Sequence, residues 1–328
     1  MACDQCDRYS SMGYRFCPYC GCPIEGRKND YVKVITVIGC IITAILSLIL
    51  IFELIVGLVN IGYVFDNLSG FSYPLFLVVP VIVDLCNLSG IPLYVYYVLL
   101  LIAATSSVLI LFLRSYKDMK EEKDVSETPI YETAVLFGSL YVIEFAFILI
   151  VQALGVEIDT PAERPNWEWM FELLNASVWE ELITRVLYLG VPVTVISLVM
   201  KKEGASAKWM VGGFGIDRIS LIFILFSATM FAAGHLNGWG TWKLFPTFLF
   251  GLIAGYLFCR YGLYATICFH FMTDYLQAEK WVLGTDTVLI TGMALLIVCL
   301  MSIPFVWVYL KKGCLYLRDQ LRSDLRRS

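Results

Sequence analysis

Histidine is the scarcest chemically versatile residue in this 328-residue chain, which has only two, His235 and His270. Both lie inside hydrophobic stretches, where an imidazole is costly unless it has a partner. Charge is scarce as well: 16% of residues are charged and 59% apolar, against about 25% charged in a soluble globular protein. That excludes a soluble domain and indicates an integral membrane protein. No long basic block exists and the net charge is −4, so nucleic acid is set aside as a partner. Lys and Arg are absent from Asn60 to Gly90. No apolar run precedes Val34, so no signal peptide is expected and the N-terminus reads as a retained cytosolic module.

That module holds five of the eleven cysteines. Cys3 and Cys6 form one Cys-x2-Cys knuckle, Cys17 and Cys20 another, and Gly21 follows the second. Two such turns supply four thiolates for tetrahedral zinc, without which so short a fold has no core. Residues 1–26 are therefore expected to be a zinc ribbon and 27–33 a linker, with Cys22 as a competing thiol. Cys40, Cys86, Cys259, Cys268, Cys299 and Cys314 are expected to be packing residues, because free cysteine behaves as a small buried hydrophobe.

Stretches able to span a hydrocarbon core, about twenty residues each, run near 34–59, 91–113, 131–155, 170–200, 217–236, 244–259, 262–281 and 287–310. The fold class is thus an all-α polytopic membrane bundle of about eight spans, with a transmembrane domain over 34–311 and a basic cytosolic tail over 312–328. Tyr73–Val83 is too short and carries Pro74 and Pro80; it reads as re-entrant or interfacial. Short basic loops stay cytosolic. With eight crossings the N-terminal module, the loops 114–123 and 201–208 and the tail all fall inside, so both termini are expected in the cytosol of a multi-pass cell-membrane protein. Trp167, Trp169, Trp239, Trp242 and Trp281 then mark outer ends, where aromatic belts form.

Three spans carry polar constellations. In the fourth, Glu180-Glu181-x3-Arg185 lets Glu181 pair with Arg185, four residues on, while Glu180 points about 100° away and stays free. Such a carboxylate suits a general acid or base, although an ion-pair network tying two helices is an equal reading. In the fifth, Phe231-x3-His235 sits at the outer end; a hydrogen-bonded interfacial role is the plainer reading. In the seventh, His270-x3-Asp274 puts a carboxylate beside an imidazole, leaving the other ring nitrogen for substrate, water or metal, with a satisfied buried polar pair as a nearly equal reading. Glu144, alone in the third span, is expected to pair with Arg185 or Arg218.

The order Glu-Glu-x3-Arg, Phe-x3-His, His-x3-Asp on membrane helices resembles the CAAX-processing and bacteriocin-processing family of intramembrane proteases, over a core of roughly 170–285. The resemblance implies an endopeptidase in which Glu180 activates water and His235 and His270 position it or stabilise the oxyanion. Asp274 then stands at the family's Asn-or-Asp position, and Glu181 with Arg185 completes the first motif. Two His and one or two carboxylates are also a zinc-like set, so the reading leaves an active-site metal open. The implied partner is a membrane-associated protein or peptide substrate, beside the lipid bilayer itself. A non-catalytic immunity or scaffolding protein of the same family is the alternative. A proton-relay transporter is a third class, but no internal repeat supports it.

Overall fold

The computed structural model describes residues 30–79, 81–158, 164–276 and 284–325. The expected zinc ribbon with Cys3, Cys6, Cys17 and Cys20 lies outside the described residues, as does Trp281. Eight principal helices build the described chain: α1 (Asp30–Val59), α2 (Ile91–Lys120), α3 (Pro129–Ala153), α4 (Asn166–Val199), α5 (Arg218–Gly234), α6 (Leu244–Arg260), α7 (Leu263–Tyr275) and α8 (Thr285–Leu325). They coincide with the eight apolar runs. Six are long and apolar enough to cross a membrane, α6 together with its lead-in turn. The exceptions, α5 and α7, have 17 and 13 residues, about 25 and 20 Å at 1.5 Å per residue. Helix α1 starts inside the expected linker, and α8 runs on through most of the expected tail.

Burial follows the logic of a lipid solvent. On α1 the residues turned inward are Ile42, Leu46, Leu50, Glu53 and Val56, recurring every three to four positions. The outward ones are equally greasy, with Leu48 69% exposed. Helix α3 is surrounded over its first half, where every residue from Tyr131 to Leu140 is buried. Helices α5 and α6 approach closely because Gly251 and Gly255 face Ala228 and Ile224; a Cβ on Gly251 would lie 2.8 Å from the Ala228 Cα.

The loops sort into two ends. At one, the buried Glu132 carboxylate joins three helices: it accepts from Tyr256 Oη at 2.6 Å and Tyr261 Oη at 2.5 Å, and meets Arg260 Nε at 2.6 Å and Tyr309 Oη at 3.3 Å. Tyr261 Oη also reaches Glu127 O, Gly213 N reaches Phe258 O and Tyr316 Oη reaches Ile216 O. The segments after α2, after α4 and after α6 therefore share this end with the later turns of α8.

The other end departs from the pattern of spans. The stretch expected to be re-entrant or interfacial is an antiparallel hairpin, β1 (Ser72–Val79) and β2 (Val81–Ser89), with a register shift at Leu75/Phe76. Pro74 and Pro80 forbid a helix there, and the Val- and Ile-rich flanks favour extended backbone. Tyr73 packs edge-on against Phe171 at 4.9 Å, and Trp179 Nε1 donates to Phe76 O at 2.8 Å. The hairpin is thus stitched onto α4. A second correction concerns cysteine: Cys259 and Cys268 are buried as expected, but Cys40, Cys86 and Cys314 are exposed.

Candidate active site

Helix α4 is irregular where its charges sit. Ala176–Glu180 and Leu182–Gly190 are π-helical, a wider winding found mostly at functional sites. Local causes are visible. Pro192 sits in the first turn of the α-helix that follows, without an N–H to give. Ser177, Thr184 and Thr194 hydroxyls bond back to the carbonyls of Leu173, Glu180 and Gly190 at 2.7, 2.5 and 2.6 Å, a habit that bends helices.

The two adjacent acids have opposite surroundings. Glu181 is fully buried and engaged on both oxygens: Arg185 Nε lies 3.1 Å from Oε2, and His270 Nδ1 lies 3.0 Å from Oε1. Arg185, also fully buried, donates from Nη1 to Ser227 Oγ at 2.6 Å, and its guanidinium stands 5.4 Å from the Phe231 ring centroid. Ser227 Oγ in turn donates to Thr184 O at 2.6 Å. One continuous polar chain therefore runs from α5 through α4 to α7.

Glu180 lies outside that chain. Its Oε2 is a buried atom without a hydrogen-bond partner, yet it stands 4.0 Å from His235 Nε2 and 4.0 Å from His270 Nε2. Two histidines far apart in sequence thus flank one oxygen. His235 is hydrogen-bonded within its own helix end: its Nδ1 faces the Phe231 carbonyl at 2.9 Å. A carbonyl only accepts, so Nδ1 carries the hydrogen and Nε2 points its lone pair at Glu180 when the ring is neutral. His270 corrects an expectation. Its Nε2 faces Asp274 Oδ2 at 3.3 Å as the spacing suggested, but the other nitrogen, expected free, is taken by Glu181. The rings of Phe231 and Phe250, with centroids 5.8 and 4.8 Å from that of His270, wall it.

These groups border a cavity of about 410 Å³, roomy beside the ~30 Å³ share of one water. Its lining includes the hairpin (Tyr73, Phe76), Arg164 just before α4, Trp169 in its first turn, and the segment between α5 and α6 (Trp239, Lys243). Asn175 and Lys243 belong to this wall although no sequence motif singles them out. Asn175 donates to Tyr73 Oη at 2.9 Å and accepts from Tyr96 Oη at 2.5 Å, fixing the hairpin and α2 to α4. Lys243 lies over the rings of Trp239 and Trp242 at 4.7 and 5.4 Å; a lone cation after a Trp-rich turn next to His235 is its only signal. Glu144 also lines the cavity, in the field of Lys243, whereas Arg185 is committed to Glu181, which overturns the expected Glu144–Arg185 pair.

Zinc sets a stricter spacing than water does. Tetrahedral zinc with bonds of about 2.0–2.1 Å holds its ligand atoms roughly 3.4 Å apart; the two Nε2–Oε2 separations are 4.0 Å. His270 Nε2 is also directed at a second carboxylate. Among the described residues no three His, Cys, Asp or Glu side chains are grouped to hold an ion. The residues do not fit zinc in this arrangement, whereas a water hydrogen-bonded at about 2.8 Å to each neighbour spans gaps of this size.

No curated protein and no solved structure matches the chain. Residues 162–276 match the family model of the type II CAAX prenyl endopeptidases, Rce1-like; the matched segment contains every member of the cluster from Glu180 to Asp274.

Proposed function

We propose that the protein is an intramembrane endopeptidase that hydrolyses a peptide bond of a membrane-associated protein or peptide with a Glu180-activated water. One observation carries the reading: an unpartnered buried carboxylate oxygen stands equally far from two histidine nitrogens at the floor of a cavity. A buried acceptor without a partner costs about 1–3 kcal/mol, and a water between Glu180, His235 and His270 relieves it. Peptide hydrolysis then needs no further group. Glu180 takes a proton as the water oxygen attacks the carbonyl carbon, the Nε2 lone pair of a neutral His235 orients the water by accepting its other hydrogen, the Nε2–H of His270 donates to the oxyanion, and Glu180 returns the proton to the leaving amine. Glu181, Arg185 and Asp274 hold His270 in place.

The same buried ion chain suits a scaffolding or immunity role, but that role leaves Glu180 unexplained. A zinc ribbon on Cys3, Cys6, Cys17 and Cys20, with both termini in the cytosol, belongs to the proposal and fits a part in recruiting the substrate. The test is cleavage of quenched fluorogenic peptides by the full chain in proteoliposomes. Glu180→Gln should abolish it while inserting normally; a fully active Glu180→Gln enzyme would sink the assignment.

A further inference from the structure

We infer that the cavity opens on the membrane side away from the cytosol, so that the protein acts on peptide segments presented extracytosolically. The cleavage itself rests on the proteolytic reading of Glu180; the side rests on geometry and charge alone.

The cavity belongs to one end of the bundle. At this end its lining comes from the hairpin, the residues at and just before the start of α4 and the segment between α5 and α6, where Arg164 and Gly238 are exposed, and the hairpin is fastened to α4 by Asn175 and Trp179. Towards the opposite end the way is blocked. Glu181 and Arg185 fill the floor without any exposure, and beyond them Leu189, Val193, Ile224, Phe258 and Cys259 pack into an apolar plug. Gly212 seals that plug: its φ of +92° and a virtual Cβ 2.4 Å from Phe258 O admit only glycine, which lets Gly213 N and Gly215 N bond Phe258 O and Cys259 O at 2.9 and 2.8 Å.

Charge divides the same two ends. At the plugged end the last turns of α2 have Arg114, Lys117 and Lys120 and the segment after it Lys123, and the loop after α4 has Lys201, Lys202 and Lys208. At the cavity end residues 60–90 have neither Lys nor Arg. Arg164 there is tied to Glu168 at 3.6 Å and to Glu172, and Lys243 lies on two indoles. Short loops rich in Lys and Arg remain in the cytosol. The plugged end is therefore cytosolic and the open one is not.

Two native thiols report the two ends: Cys86 is exposed on β2, and Cys314 is exposed on the late turns of α8. A membrane-impermeant maleimide applied to intact cells should label Cys86, located by peptide mapping and lost in Cys86→Ser, while Cys314 should react only after permeabilisation. Gly238→Cys, on the cavity wall where a Cβ meets nothing within 4 Å, should label from outside in the Cys86→Ser background. The reverse pattern, Cys314 labelled in intact cells and Cys86 and Gly238→Cys only in opened ones, overturns the inference. Labelling needs no turnover, which separates the two failures. A chain labelled from outside that cleaves no peptide keeps its orientation and loses the protease reading; an active enzyme with reversed labelling keeps the protease reading and loses the side.

Discussion

Glu180 and Glu181 are neighbours on α4, and their glutamine variants should fail in opposite ways. Glu181 accepts from two donors, His270 Nδ1 and Arg185 Nε, one on each oxygen. An amide has one acceptor oxygen and one NH2 group, so in either orientation Glu181→Gln turns a donor against a donor. It also leaves the fully buried Arg185 charge without a carboxylate against it. Removing one partner of a buried ion pair costs roughly 3–5 kcal/mol, and a loosened His270 should lower cleavage about 10–100-fold, the usual cost of losing an orienting contact. Glu180→Gln removes a carboxylate oxygen that has no partner. It should therefore melt at or above the wild-type temperature, yet lose the ~10²–10⁴-fold contribution of a general base. Thermal melting of the purified full chain in detergent, paired with peptide cleavage in proteoliposomes, separates the two. A destabilised Glu180→Gln beside a wild-type-like Glu181→Gln would refute this division of labour between the two acids.

Four further outcomes follow from particular contacts. Gly251→Val should force α5 from α6, because a Cβ there lies 2.8 Å from Ala228 Cα; overpacking of this kind costs about 1–3 kcal/mol and should register as a lower melting temperature. Trp179→Phe deletes the indole bond to Phe76 O, worth about 1 kcal/mol net, and should speed maleimide reaction at Cys86 without altering the melting of the bundle. Asp217 caps α5 in a reciprocal box with Ser220, at 2.8 and 2.7 Å, and pairs with Lys202. Burial opposes its charge, but Lys202 and Ser220 outweigh it and hold the carboxyl below its usual range. A lowered folded value means stability present above the unfolded carboxylate range and lost as pH falls through the folded one. The deficit of Asp217→Ala, about 1 kcal/mol, should hence be full at pH 7 and shrink in acid, as read by melting against pH. Finally, full-length protein with Cys3, Cys6, Cys17 and Cys20 changed to Ser should lose its zinc by elemental analysis while cleavage of short fluorogenic peptides, which need no recruitment, persists; retained zinc would place a metal elsewhere in the chain.

The bundle was legible because lipid imposes a simple rule. Every span must satisfy its backbone internally, so each apolar run of sufficient length became a helix. The hairpin was not, because short apolar segments with prolines are equally compatible with several interfacial shapes, and only Tyr73, Asn175 and Trp179, far apart in sequence, fix one of them. Within the site, i,i+4 logic anticipated Glu181–Arg185 and His270–Asp274, since both are local. It could not anticipate Glu181–His270, 89 positions apart, and so left a ring nitrogen free that is in fact bound. Glu132, with partners on α6 and α8, escaped for the same reason.

That pattern bears on how a charged site survives in so apolar a chain. Local pairs alone would leave Arg185 and His270 on separate helices, each free to turn towards lipid. The long-range bonds to Ser227 and Glu181 convert two local pairs into one chain across α5, α4 and α7, so the cost of burying each charge is shared by partners that cannot move independently. Beside that chain, and not bonded into it, one buried oxygen of Glu180 is left without a partner, and Glu180 is the acid of the pair that lines the cavity.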